Sequence, residues 1–168
     1  MMTLTLIRHA KTETLSSTGT DFDRMLTEKG IAQANLLGHY VQHHHLQLGK
    51  MLCSSSVRTQ QTKSIICQHL AEKCCVNYLP ELYLADSDSI SKLLGEQDEN
   101  NITIIGHNEG ISDLAIHFSE ETTYLRTAEM ICLTFPFDDW KLAIAGTASI
   151  TLRYRPEVFL PKMAVVLE

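Results

Sequence analysis

Apolar residues along this chain fall into short continuous runs and into arrays spaced by three or four, and the two patterns alternate. Residues 3–7, TLTLI, are all β-branched or leucine and predict a first strand, which stops abruptly on Arg8 and His9. A polar stretch from Lys11 to Arg24 follows, unusually long for a connection without structure of its own. Thr27 is placed to cap a helix reaching about His45, with Ile31, Ala34, Leu37 and Val41 on one side. KMLCSS predicts a short buried strand that ends in serines. SVRTQQTKSIICQHLAEK predicts a second helix, with Val57, Ile65, Ile66 and Leu70 among its apolar positions. CVNYL is a third strand, stopped by Pro80, and DSISKLLGE is a short helix. NITIIGHNEG carries the clearest local signal: a strand over Ile102–Ile105 ends at Gly106, and Gly110 opens a helix through Phe118. EMICLTF and ASITLRY are two further strands, separated by a loop containing Pro136 and Gly146.

Strands alternating with helices predict a three-layer α/β/α sandwich with a mainly parallel central sheet, built as a single domain over residues 1–168. The last two strands have no clear helix between them, so antiparallel pairing is expected there. In such sheets ligands collect at the carboxyl edge of the strands. Arg8-His9, the segment from Ser54 to Arg58, and Gly106-His107-Asn108 all follow predicted parallel strands, so three separate stretches should meet at one edge.

Composition narrows the function. The 168-residue chain carries a net charge of -6 and no Lys/Arg stripe, which argues against nucleic-acid binding but leaves room for a small phosphate pocket. Five cysteines, an odd number without a CxxC pair, are expected to be reduced, the adjacent Cys74 and Cys75 included, and this fits a cytoplasmic protein. No signal peptide or membrane-spanning run is read from the sequence.

Two arginines and two histidines at one edge make an anion site. An arginine presents a planar fork of donors matched to phosphate oxygens. A histidine adds a neutral nitrogen lone pair near pH 7. A phosphate clamped by cations with an imidazole behind it can be transferred to that imidazole and held until water removes it.

LIRHAKTE, DFDRMLTEKG, CSSSVRTQQT and IIGHNEG, in this order, resemble the histidine phosphatase superfamily and within it the small SixA-type phosphohistidine phosphatases. The segment FPFDDWKLAIAGTASITLRYRPEVF is similar to the C-terminal part of that branch. The resemblance implies a phosphoglycerate mutase-like fold with His9 as the phosphorylated nucleophile and Arg8 and Arg58 on the phosphoryl oxygens. It also implies that His107 stabilises the transferring group and that Thr12 lies near the phosphate. For the general acid, Glu81 in YLPELYL is the first choice and Asp86 the second, while Asp21 or Asp23 could reach in from the long loop. Glu109, beside an anion site, is expected to point away. The implied reaction is a metal-independent hydrolysis without a cofactor. The implied partner is a phosphorylated protein carrying phosphohistidine, or a small phosphate ester, with no nucleic acid and no membrane; oligomeric state is not legible.

Other readings stand beside these. Arg8-His9 alone would serve as a surface turn, Arg58 as a solvated helix residue and His107 as a cap. His39 and His43 have the i, i+4 spacing of a zinc pair, but no third ligand accompanies them and a solvated helix end is expected. Trp140 is expected in the core. A non-catalytic phosphate-binding module would keep the arginines without needing a nucleophile.

Overall fold

The computed structural model describes residues 1–156. The expected domain and the C-terminal resemblance therefore run past it, and residues 157–168 lie outside the described part. Six strands form one sheet: β1 (Met2–Arg8), β2 (Lys50–Ser54), β3 (Cys75–Leu79), β4 (Asn101–Gly106), β5 (Met130–Phe135) and β6 (Ser149–Tyr154). Their order across the sheet is β3-β2-β4-β1-β5-β6. The first four in that order are mutually parallel, whereas β5 runs antiparallel to β6, as the missing helix between them predicted, and also antiparallel to β1.

Alternation along the strands sorts side chains into two layers. Leu4 and Leu6 of β1, with Ile102 and Ile104 of β4, face a core completed by α3 (Ser87–Leu94) and α4 (Gly110–Ser119). Ile7 and Ile105 face the opposite core, completed by α1 (Glu28–His43) and α2 (Val57–Gln68). The result is a three-layer α/β sandwich around a six-stranded sheet. Trp140 is buried, and its indole N–H reaches the Glu99 carbonyl at 2.8 Å. Among the described residues no helix is long and apolar enough to cross a membrane.

Three expectations need correction. In α1 the Thr27 cap is present, accepting from the Gly30 N–H, but Ile31 is 44% exposed and the inward face is Gln33, Ala34, Leu37 and Val41. α2 stops at Gln68 and buries Arg58, Thr59, Thr62 and Ile66, while Val57, Ile65 and Leu70 lie only at the margin. Its inner face is polar because it serves the backbone of the neighbouring strand end: the Thr62 hydroxyl accepts from the Ala10 N–H at 3.0 Å and donates to the Arg58 carbonyl at 2.7 Å. Finally, Cys67 and Cys74 are joined in a disulfide, because the chain past α2 turns back and brings their Cα atoms to 6.3 Å. The free thiols are therefore Cys53, Cys75 and Cys132, not all five. The cytoplasmic expectation loses that part of its support.

Candidate active site

Register puts the candidate residues in one row. Ile7 pairs with Ile105 and Ile105 with Cys53, so the next residues, Arg8, Gly106 and Ser54, reach the carboxyl edge together. One residue further, His9 donates its backbone N–H to the Gly106 carbonyl at 3.2 Å, and the His9 and His107 rings lie 5.3 Å apart, centre to centre. Arg58 enters from the first turn of α2. Close backbone approach fixes the surroundings: a Cβ at Gly110 would overlap the Ala85 carbonyl, so α4 presses directly on the segment after Leu84.

Arg8, His9, Thr12, Arg58 and His107 line a single pocket of about 340 Å³, with Lys11, Asp21, Arg24 and Asn108. Another cleft, about 390 Å³, opens at the far end of β2 among Leu46, Leu48, Met51 and Leu70 and contains no arginine. Both candidate arginines and both candidate histidines line the first. Glu81 is absent from its lining: the one-turn 3₁₀ helix Pro80–Leu82 buries Leu82, which leaves Glu81 exposed and turns Tyr83 inward. Asp86 caps α3, accepting from the Ser89 N–H at 2.8 Å, and Asp23 accepts from the Thr18 and Thr20 hydroxyls at 2.6 and 2.9 Å. Of the four carboxylates weighed as acids, Asp21 alone lines the pocket. Glu109 is exposed and outside the lining. His39 stacks on His69 with centres 4.2 Å apart, and no trio of His, Cys, Asp or Glu that could hold a metal occurs among the described residues.

The hydrogen bonds determine which nitrogens are available. His9 Nδ1 lies 2.8 Å from the Ala10 carbonyl, which can only accept, so Nδ1 carries the proton and Nε2 the lone pair. Burial, then the charges of Arg58 and Arg8, lower the His9 pKa to about 4, so its imidazole is neutral at pH 7. His107 Nε2 meets the Ser54 hydroxyl at 2.8 Å, while its Nδ1 is buried without a partner. Burial first, then its histidine and arginine neighbours, lower the His107 pKa to about 3. Arg8 Nη1 donates to the Leu125 carbonyl at 3.0 Å. Arg58, 1% exposed, donates from Nη1 to the Asp21 carbonyl at 2.7 Å and from Nη2 to its carboxylate at 3.0 Å. The Nε atoms of both arginines are buried without partners. An unpaired buried donor costs roughly 1–3 kcal/mol, so the two arginine Nε–H groups in residues lining one pocket mark it for an anionic acceptor.

A carboxylate tuned the other way completes the site. The Tyr83 hydroxyl donates to Asp21 at 2.6 Å, and this bond, with the Arg58 contact, holds the carboxyl well below the usual carboxylate range. Arg24 binds the second Asp21 oxygen at 2.8 Å and donates to the Thr12 hydroxyl at 3.0 Å. Lys11, Arg24 and Tyr83 were not among the sequence candidates, whereas Ser54 and Asn108 belong to the stretches expected to meet at the sheet edge. Nothing local marks Tyr83.

The two histidines give the site a pH signature. Both should remain neutral in a ¹⁵N NMR titration of the free protein from pH 7 down to roughly pH 5, where an ordinary histidine of pKa ~6.5 is mostly charged. The unfolded chain binds more protons than the folded one between about pH 6.5 and 3. Stability from these groups is therefore complete above that window and falls as the pH is lowered through it. Titration of both rings near pH 6.5 would contradict the burial argument.

The fold and this cluster define a class: an α/β protein with one buried arginine, one half-buried arginine and two neutral imidazoles around one anion pocket. The model of the histidine phosphatase superfamily (branch 1) matches residues 4–83, a span that includes Arg8, His9 and Arg58 but not His107. Over that span the chain is similar to the histidine phosphatase superfamily. It is 29% identical over 118 residues to an uncharacterised protein of Mycobacterium leprae, covering 69% of this chain and 71% of that one. In fold it is similar to a Nakamurella multipartitia protein assigned as a phosphohistidine phosphatase SixA, with a TM-score of 0.78, 24% identity and coverage of 92% and 96% of the two chains. It is similar too to the protein histidine phosphatase SixA complexed with tungstate, with a TM-score of 0.78, 19% identity and coverage of 94% and 99%.

Proposed function

We propose that this protein removes the phosphoryl group from phosphohistidine on a protein, passing it through His9. The observation that carries this reading is a pocket with a nucleophile and a clamp but no carboxylic acid: its one lining carboxylate, Asp21, is held ionised. In the first step His9 Nε2 bonds to phosphorus as the P–N bond to the departing imidazole breaks. The departing imidazole keeps the electron pair of that bond. Protonated from solvent on its other ring nitrogen, it leaves as neutral imidazole, whose conjugate acid has a pKa of ~6.5, and so needs no strong acid beside it, unlike an alkoxide. In the second step water attacks phosphorus, phosphate departs and His9 regains its lone pair.

Arg8 and Arg58 bind the phosphoryl oxygens, and the charge of the buried Arg58 is weakly screened by water. His107 donates from Nδ1 when the Ser54 hydroxyl donates to its Nε2. Thr12 accepts from Arg24 and keeps its own hydroxyl proton for a phosphoryl oxygen. Side chains supply all the positive charge this mechanism uses, so a chelating agent is expected to leave the rate unchanged. Tungstate, a tetrahedral oxyanion like phosphate, in the SixA structure supports an oxyanion in a pocket of this fold. A second copy of the fold's task, binding a phosphorylated partner without chemistry, gives no reason for a free lone pair on His9.

Turnover should be fastest with a phosphohistidine protein, slower with p-nitrophenyl phosphate, whose leaving group is also weakly basic, and slowest with sugar phosphates. A preference for the sugar phosphates would overturn the proposed substrate. Glu81→Gln is expected to change the rate by no more than about twofold, as an exposed residue outside the pocket. A loss of a hundredfold would restore Glu81 as the acid.

A further inference from the structure

The loop between β1 and α1 is docked onto the start of α2, and it is docked through the residue that holds Arg58. The Val57 N–H donates to the Phe22 carbonyl at 3.1 Å, and the Phe22 ring meets Tyr83 edge-on with centres 5.0 Å apart. Between these contacts Asp21 takes both terminal nitrogens of Arg58, one on its carbonyl and one on its carboxylate. The same carboxylate is fixed from two other directions, by the Tyr83 hydroxyl at 2.6 Å and by Arg24 at 2.8 Å. With its far end occupied, the Arg58 guanidinium has Nε left, buried and without a protein acceptor. Arg8 repeats the arrangement: Nη1 is tied to the Leu125 carbonyl and Nε is left over.

We propose that Asp21 is a positioning residue: held by Tyr83 and Arg24, it grips the terminal end of Arg58 and turns the Nε edge of that guanidinium to the phosphoryl group. The carboxylate does not touch the reacting atoms. It acts through Arg58, and the loop residues 11–24 exist in this form to present it. A planar fork has two edges able to bind an oxyanion side-on or end-on, and the rotation that selects between them is free in an untethered side chain. Fixing it in advance removes that freedom before the phosphoryl group arrives, and small misplacements in a transfer site cost up to about a hundredfold. The inference rests on the phosphoryl transfer proposed above.

The test is a double-mutant cycle of Asp21→Ala and Arg58→Ala, with Tyr83→Phe as a milder release of Asp21, read with a phosphohistidine protein. Asp21→Ala is expected to lower kcat by about ten- to a hundredfold with a smaller change in KM, because the orientation matters most in the transition state. Tyr83→Phe should lose several-fold. In the Arg58→Ala background, Asp21→Ala should cost nothing further, since residues acting as a unit are not additive. Thermal midpoints measured for each variant separate this from unfolding of the loop. Multiplied losses in the double variant would overturn the proposal, and so would an unchanged rate. A gain in rate would mean that Asp21 blocks Arg58. If Arg58→Ala itself keeps the wild-type rate, the proposed function fails; if it collapses while Asp21→Ala does not, this inference fails alone.

Discussion

Arg58→Ala is expected to lower turnover roughly 10²–10³-fold, the loss typical when one preorganised donor is removed from a site of developing negative charge. That factor corresponds to about 2.7–4 kcal/mol of transition-state stabilisation. Three observations support that role for Arg58. Its side chain is almost wholly buried, so its charge acts at close range in a poorly screened environment. Its terminal nitrogens are fixed by Asp21, so it need not reorganise during the reaction. Its Nε has no other acceptor. Steady-state rates with a phosphohistidine protein read the loss directly, and a circular dichroism melt checks that the variant folds, since Asp21 loses its partner. A rate within about threefold of wild type would remove Arg58 from the clamp.

His9→Ala has the larger expected effect. The other pocket residues can still bind phosphate, but nothing remains to accept it, so turnover should fall by roughly 10⁴-fold or more while inorganic phosphate still binds. The ring is lodged against the Ala10 carbonyl and beside His107. Separating the two readouts matters. A loss of both phosphate binding and turnover would indicate a collapsed pocket, and retained turnover would exclude a covalent path through His9.

The strand ends were legible because burial on both faces of a parallel strand demands a continuous apolar run, and the run's end marks the sheet edge. TLTLI followed by Arg8 and His9, and NITIIG followed by His107, mark the sheet edge at which these residues meet. Arg58 was legible for a related reason, as the second residue of a helix that starts at a strand end. The acid was not. Whether Glu81 points in or out depends on Leu82, whose burial fixes the turn, and sequence separation alone carries no such direction. Asp21 and Tyr83 are 62 positions apart, and their contact depends on a loop with no periodicity to read. The polar face of α2 misled for the same reason: Thr59 and Thr62 look solvated in a linear pattern, yet both are buried because they hold neighbouring backbone in place. The disulfide between Cys67 and Cys74 depends on where α2 stops, which the pattern extended too far.

Each of these expectations hangs on the same event, a bond between phosphorus and the lone pair of one imidazole. Rapid quench of the wild-type protein with ³²P-labelled phosphohistidine protein, followed by mapping of the labelled peptide, observes that bond. The account predicts label on His9 that is lost in acid and survives base, appears within a single turnover and is absent from His9→Ala. Label on another residue, or full turnover without any trapped label, would contradict it.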